Sequence, residues 1–306
     1  MQTTLKGPVT FTGVGLHSGK PVRMILRPAM ADHGIWFRRT DVLFKDALVP
    51  ARWDVVNQSP LCTLIENGAG VSVSTIEHVM AALAGCGVHN ALIDIDGPEV
   101  PILDGSAASF VRGILYKGLR VQDEPVRAIK ILKPVEVTRG EAWARLAPHD
   151  ELKIDFHIDF ADAAIGVQQK SLKMGNGSFV RELCDCRTFC RQADVDAMRE
   201  NGLALGGSME NAVVVDGDKV LSPGGLRRAD EPVRHKMLDA LGDLALAGAP
   251  VVGLYTGHRA GHALTNDLLR ALFARPDAFR MVECDADLMA RLPGVGVHLG
   301  EIPAVA

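Results

Sequence analysis

Residues 233–243 limit what this chain can become more than any other stretch. Val233, Met237, Leu241 and Leu244 recur at helical spacing and predict an apolar stripe. Asp230, Glu231 and Pro232 stand where the first turn would begin, with acidic groups at the positive end of the helix dipole. Gly248 and Pro250 supply a stop. A second stripe carries chemistry. His235 and Asp239 are four apart, so both side chains leave one face a turn apart. An imidazole nitrogen and a carboxylate oxygen so placed are two legs of a zinc site. Asp243, a further turn on, can orient a neighbouring group. By themselves His235 and Asp239 read more simply as a solvated face, because a catalytic zinc takes three protein ligands and an open position. The third ligand has to come from elsewhere.

A partner helix stands in the first third of the chain. Residues 72–85 are rich in alanine and leucine and predict a helix stopped by Gly85 or Gly87. Ser74 and Glu77 have the Ser-x-x-Glu spacing of a capping box, the simplest role for Glu77 taken alone. His78 follows. Near the positive end of that helix its imidazole should be neutral, which suits a metal ligand. Glu-His-Val-Met-Ala-Ala-Leu at 77–83 is echoed by Arg-His-Lys-Met-Leu-Asp-Ala-Leu at 234–241. Each half reads as strands, a His-bearing helix, a strand, a glycine loop and another helix. A duplicated α+β fold with one site between the halves is the economical reading. His78, His235 and Asp239 would then form a His₂Asp set, with Glu77 beside it as a candidate general base. His262, in a glycine loop over 256–262, is a candidate general acid or electrostatic stabiliser, although alone it reads as a loop residue.

The rest of the chain supplies the frame. Residues 8–29 predict a hairpin whose turn, 13–20, is not a phosphate loop. Its glycine spacings are wrong, and Pro21 follows Lys20 where Ser or Thr is needed. His17 in that turn either borders the site or is a turn residue. Further strands are expected at 35–37, 61–65, 90–96, 212–215 and 251–255. Helices are expected at 107–117, capped by Asp104-Gly105-Ser106, and at 264–273. A linker is expected at 120–127 and a strand meander over 129–137, 141–146 and 152–160. The glycine-bearing region 175–211, with a short helix at 194–201, predicts an insert that lines a cleft.

Composition narrows the partners. The chain has 306 residues, 47% hydrophobic and 23% charged, with net charge −4. That suits one large or two ordinary globular domains and gives no argument for nucleic acid or anionic membrane. The start lacks the apolar core of a signal peptide, and no apolar run approaches the roughly 20 residues of a membrane span. Cys62, Cys86, Cys184, Cys186, Cys190 and Cys284 are then expected to be reduced thiols. The 184–190 cluster lacks CxxC spacing and reads as packing rather than as a metal site.

Several runs, in order along nearly the whole chain, carry a resemblance. They are Thr-Gly-Val-Gly-Leu-His-Ser-Gly at 12–19, Ser-Thr-Ile-Glu-His at 74–78, Pro-Ile-Leu-Asp-Gly-Ser at 101–106, Cys-Arg-Thr-Phe at 186–189, Val-Arg-His-Lys-Met-Leu-Asp at 233–239 and Gly-His-Ala-Leu at 261–264. With them the chain resembles the UDP-3-O-acyl-N-acetylglucosamine deacetylases, zinc enzymes of lipid A (lipopolysaccharide) synthesis. The resemblance implies Zn2+ held by His78, His235 and Asp239. It implies Glu77 as base, His262 as cationic partner with Asp243 as its orienter, and a Thr188 hydroxyl on the oxyanion. The implied substrate-binding set is Lys236, Phe160, Asp159, Arg259, Phe189 and Leu61. In it Phe160 stacks on uracil beside Asp159, and Lys236 and Arg259 meet the nucleotide-sugar end. There is one departure. Ala161-Asp162-Ala163-Ala164 follows Phe160 where the family commonly has a His-Pro pair nearby, which bears on the uracil contacts.

The implied fold is α+β, two similar two-layer α/β sandwich domains packed together, residues 1–122 and 128–306. Each has an insert, the active site lies between them, and the second insert, about 175–211, forms an apolar passage for the acyl chain. The implied reaction is hydrolysis of the N-acetyl group of UDP-3-O-acyl-N-acetylglucosamine to UDP-3-O-acyl-glucosamine and acetate. The implied setting is a cytoplasmic monomer with at most peripheral membrane contact and no nucleic-acid partner. Two rivals stand beside this reading. One is a zinc amidohydrolase of the same fold acting on another N-acyl sugar, favoured only by the departure after Phe160. The other is a non-catalytic nucleotide-sugar or acyl-binding protein, against which the retention of Glu77 and all three ligands speaks.

Overall fold

The computed structural model describes residues 1–59 and 61–304. The helices that position the site are α1 (Glu77–Gly85), α2 (Ala108–Lys117), α3 (Ser178–Glu182), α4 (Gln192–Glu200), α5 (Glu231–Ala245) and α6 (His262–Phe273). Around them the fold is mixed α/β, with two five-stranded sheets of the same connectivity. In space the first runs Val9–Val14, Pro21–Pro28, Ala91–Ile95, Ile35–Arg39, Leu48–Pro50. The second runs Val135–Arg139, Ala142–Ala147, Leu254–His258, Lys153–Asp159, Val167–Lys173. In each sheet the middle strand comes last in sequence, antiparallel to one neighbour and parallel to the other. A parallel neighbour requires a long crossover. Those crossovers carry α1 in the first half and α5 in the second, and the sequence echo at 77–83 and 234–241 falls on them.

α1 has no polar side to turn outward. Val79, Met80, Ala81, Ala82 and Leu83 are all buried, as expected of a helix enclosed on every side. Its main partner is α5. The two helices touch closely because Gly242 has no side chain: a Cβ there would lie 2.1 Å from the Glu77 carbonyl oxygen. α2 packs on the first sheet, while α5 and α6 pack on the second. Ile93 and Phe110 of the first half belong to the same continuous buried cluster as Phe156 and Leu268 of the second. Each half also carries a smaller sheet. Val56–Gln58, Thr63–Glu66 and Ser72–Ser74 form an antiparallel one. Phe189–Arg191 and Val213–Asp216 pair in parallel across α4, with Lys219–Val220 at the edge.

Several expected elements need correction. The helix over 72–85 is instead a strand, Ser72–Ser74, then Thr75 at φ +57°, then α1 from Glu77. The capping box does not form. Ser74 Oγ donates to the Pro98 carbonyl at 3.2 Å, and the Glu77 carboxylate accepts from the Thr63 N–H. Leu119–Val121, partly in the expected linker, pairs with Thr3–Leu5. The meander is broken twice. Arg127–Ile131 belongs to a small separate sheet, and Leu254–His258 sits between Ala142–Ala147 and Lys153–Asp159. The strand at 251–255 splits at Gly253, where Ile131 and the Ala147 carbonyl leave no room for a Cβ. The loop over 256–262 shrinks to 259–261, since the strand runs to His258 and α6 begins at His262. No helix among the described residues is long and apolar enough to cross a membrane.

Replacing Gly242 with Ala has to push two backbones apart. Overpacking of this kind costs about 1–3 kcal/mol, so denaturant unfolding of Gly242→Ala should show that loss. An unchanged midpoint would mean that α1 and α5 part freely.

Candidate active site

His235 and Asp239 leave one face of α5, as their spacing requires, and α1 brings His78 against them. His235 Nε2 lies 3.3 Å and His78 Nε2 3.7 Å from Asp239 Oδ1. These three side chains offer ligand atoms all within 4.8 Å of one another, and all three residues are buried. Tetrahedral ligands at about 2.1 Å from a zinc ion stand roughly 3.4 Å apart. Asp239 Oδ1 is buried without a hydrogen-bond partner, which is costly unless a cation meets it. Its other oxygen, Oδ2, accepts from Lys236 Nζ at 2.8 Å. His235 Nδ1 stands 3.0 Å from the Cys186 carbonyl. That oxygen can only accept, so Nδ1 carries the proton and Nε2 offers its lone pair to a metal. Burial, and then the neighbouring His235, push His78 down to about 3, so it is neutral as a ligand must be. The dipole of α1 was the expected cause; burial is the larger one. The donor set fits a zinc ion.

Three further ionisable groups close around this point. Burial raises Glu77 to about 7, helped by the Asp239 and Asp243 carboxylates and opposed by His262. His262 feels burial in the other direction, but Asp243, Glu77 and Asp239 outweigh it and raise it to about 9. Its Nδ1 is 2.8 Å from Asp243 Oδ2, and its Nε2 is 3.9 Å from both Glu77 Oε1 and Asp239 Oδ2. Burial would raise Asp239 too. His235, Lys236, His262 and His78 overcome it and hold that carboxyl well below its ordinary range. The arrangement is a candidate metal group of neutral His and ionised Asp, with a carboxylate able to take a proton and an imidazolium able to give one.

The segment carrying Thr188 is pinned from two sides. The Thr188 N–H donates to the Gly105 carbonyl, and the Thr188 carbonyl accepts from the Val213 N–H, both at 2.8 Å. Gly105 is at φ +80°, and a Cβ there would meet the Asn211 carbonyl at 1.9 Å. Only glycine permits that approach. Next door Arg187 pairs with the fully buried Glu231 at the start of α5, tying this segment to the helix that carries His235 and Asp239. A cavity of about 740 Å³ opens from the site and runs along α4 past Phe189, Val195, Met198, Leu203 and Met209.

The chain matches the LpxC family model, UDP-3-O-acyl N-acetylglycosamine deacetylase, over residues 2–274. It is 53% identical over 287 residues to the UDP-3-O-acyl-N-acetylglucosamine deacetylase of Phenylobacterium zucineum, covering 94% of this chain and 98% of that protein. It is 44% identical over 304 residues to the protein of the same description from Shewanella frigidimarina, covering 97% and 99%. The chain belongs to this family. The matched residues take in both five-stranded sheets, the two smaller sheets beside them and every residue of the candidate site.

Most residues expected from the sequence do meet. Glu77, His78, Thr188, His235, Lys236, Asp239 and His262 border one cavity, and so do Leu61, Phe160, Phe189 and Arg259. Asp243 stands behind His262. The Phe160 and Phe189 rings meet edge-on at 5.4 Å, and Phe189 does the same to His235 at 6.3 Å. Lys236, expected at the nucleotide-sugar end, donates instead to Asp239 of the candidate metal group. Arg259, at φ +50°, pairs with Glu141 at 2.7 Å. Asp159 is exposed at its strand end, outside the residues that line the cavity. The departure after Phe160 folds back as a turn, with Asp162 Oδ1 accepting from the Gly217 N–H. His17 borders the cavity, and both its ring nitrogens are buried without hydrogen-bond partners. The cysteines are free, Cys184 and Cys186 are buried, and burial pushes the Cys184 thiol up to about 12, whereas Cys190 is half-buried at the cavity wall. The residue the sequence reading missed is Thr63, which touches both Glu77 and Asp243. Its one signal was a polar side chain at an inward position of an alternating strand.

Zinc bound at this site should stabilise the fold. At a free concentration a hundred times its Kd, one bound ion contributes about 2.7 kcal/mol, so chelator-treated protein should melt higher when zinc is restored. Asp239→Ala should lose that rise. A melting temperature indifferent to zinc, or raised equally in the variant, would remove the metal assignment.

Proposed function

We propose that this chain is a zinc-dependent deacetylase that hydrolyses the N-acetyl group of UDP-3-O-acyl-N-acetylglucosamine. The products are acetate and UDP-3-O-acyl-glucosamine, in the committed step of lipid A synthesis. The observation that carries this reading is the convergence of His78, His235 and the unpartnered Asp239 Oδ1 beside Glu77, in a chain of this family. Zinc held by His78, His235 and Asp239 would polarise the amide carbonyl and lower the pKa of water from about 15.7 towards ~7. Glu77 then takes the proton of the attacking water. The Thr188 hydroxyl donates to the oxyanion of the tetrahedral intermediate. His262, kept protonated by Asp243, gives a proton to the departing amine. Phe160, Phe189, Leu61, Lys236, Arg259 and Asp159 are the proposed substrate contacts, and the apolar cavity along α4 suits the acyl chain.

We further propose that residues 1–122 and 128–306 are the two domains, similar two-layer α/β sandwiches packed through α1 and α5. The repeated strand order supports this. We propose a cytoplasmic monomer, and light scattering at one chain mass would test the second part.

Acetate release from UDP-3-O-acyl-N-acetylglucosamine should disappear on chelation and return with about one zinc per chain. Metal without activity would leave the site and sink the substrate. The pH profile has a definite sign. Glu77 works ionised, so activity rises through its value, about 7 from the protein's own groups. His262 works protonated, so activity falls above its value, about 9. A dication in the cleft favours the charge on Glu77 and opposes that on His262, so both limbs should sit at or below these values. Glu77→Gln should keep zinc and lose the rate. An oxyanion donor is worth about 2.7–4 kcal/mol, so Thr188→Val should lower kcat about 10²–10³-fold and leave KM nearly alone. An unchanged kcat would remove Thr188 from the mechanism.

A further inference from the structure

Thr63 is buried at the start of the strand Thr63–Glu66, in the insert of the first half. Its N–H donates to Glu77 Oε2 at 3.1 Å. Its hydroxyl donates to Asp243 Oδ1 at 2.6 Å. Each carboxylate thus spends one oxygen on Thr63. The oxygens left over are the ones that face the reaction: Glu77 Oε1 lies 3.9 Å from His262 Nε2, and Asp243 Oδ2 lies 2.8 Å from His262 Nδ1. Glu77, Thr63, Asp243 and His262 make a ring with one opening, between Glu77 Oε1 and His262 Nε2. The proton of the attacking water arrives at one side of that opening, and the proton for the amine leaves from the other.

We infer that Thr63 is a positioning residue that keeps the base and the acid of this site in register with each other. Glu77 stands on α1 and Asp243 on α5, so Thr63 spans the helix contact from outside either helix. Its hydrogen bonds to Glu77 and Asp243 reach none of the three proposed metal ligands, His78, His235 and Asp239. Its hydroxyl acts on the reaction through Asp243 and His262. The backbone donor to Glu77 survives any side-chain replacement, so substitutions isolate the hydroxyl. Thr63→Val keeps the shape and leaves Asp243 Oδ1 buried without its donor, free to turn and take His262 with it.

The inference rests on the deacetylase reading, and wild-type acetate release in the same assay tests that reading separately. Loss of such an orienting partner costs about 10–100-fold, so kcat of Thr63→Val should fall by that much with zinc content unchanged. KM should move less than about threefold, because ground-state binding is untouched. Thr63→Ser, which restores the hydroxyl, should return kcat to within about threefold of wild type. In an Asp243→Asn background Thr63→Val should cost little more, since the two act as one unit. If the valine variant melts lower, the serine variant and the Asp243→Asn background still decide. The inference is overturned if valine keeps the wild-type kcat, if serine is as slow as valine, or if the loss is undiminished beside Asp243→Asn. A change in KM or zinc content alone overturns it too. A wild type that releases no acetate overturns both readings.

Discussion

The contact between α1 and α5 is the constraint on which the rest of this molecule depends. α1 carries Glu77 and His78; α5 carries His235, Asp239 and Asp243. Each helix delivers its groups at fixed spacing, but neither holds a complete site. They complete one because Gly242 lets the Glu77 carbonyl approach where any Cβ would collide. The two sheets serve this contact. Their repeated strand order gives each half a crossover helix, and Val79 to Leu83 of α1 are all buried. Ligands borne on packed helices are held more tightly than ligands on loops.

Close packing forces ionisable groups together, and their charges must then compensate. Burial alone would neutralise both Asp239 and Glu77. Asp239 escapes because four basic groups face it. Glu77 faces one cation and two carboxylates, so burial still raises it, to about 7. His78 and His262 diverge because burial and then His235 prevail over Asp239 at His78, while three carboxylates outweigh burial at His262. Four side chains of two types thereby acquire four roles from their surroundings. The unpartnered Asp239 Oδ1 is the remaining imbalance, which a metal cation would relieve.

Much of this was legible along the chain. The i, i+4 pair His235 and Asp239 follows from helical periodicity, and the echo at His78 pointed to duplication before any sheet was seen. The resemblance added Thr188 and the substrate contacts, most of which border one cavity. Other features were not legible. The Ser74–Glu77 capping box looked sound, but Thr75 at φ +57° turns the chain from strand to helix, and Glu77 is used elsewhere. Residues 251–255 read as one strand, yet crowding at Gly253 sends its two ends to different sheets.

The sequence by itself determined which groups share a helix face, which helices are apolar, and which family the motifs resemble, because those properties involve residues a few positions apart. Only the tertiary structure decided which oxygen of each carboxylate faces the reaction. Thr63 and Asp243 are 180 positions apart, and Asp239 Oδ1 and Oδ2 are chemically alike until Lys236 takes one of them. Periodicity puts a side chain on a face. Its lone pairs and its charge state are set by what the rest of the chain packs against it.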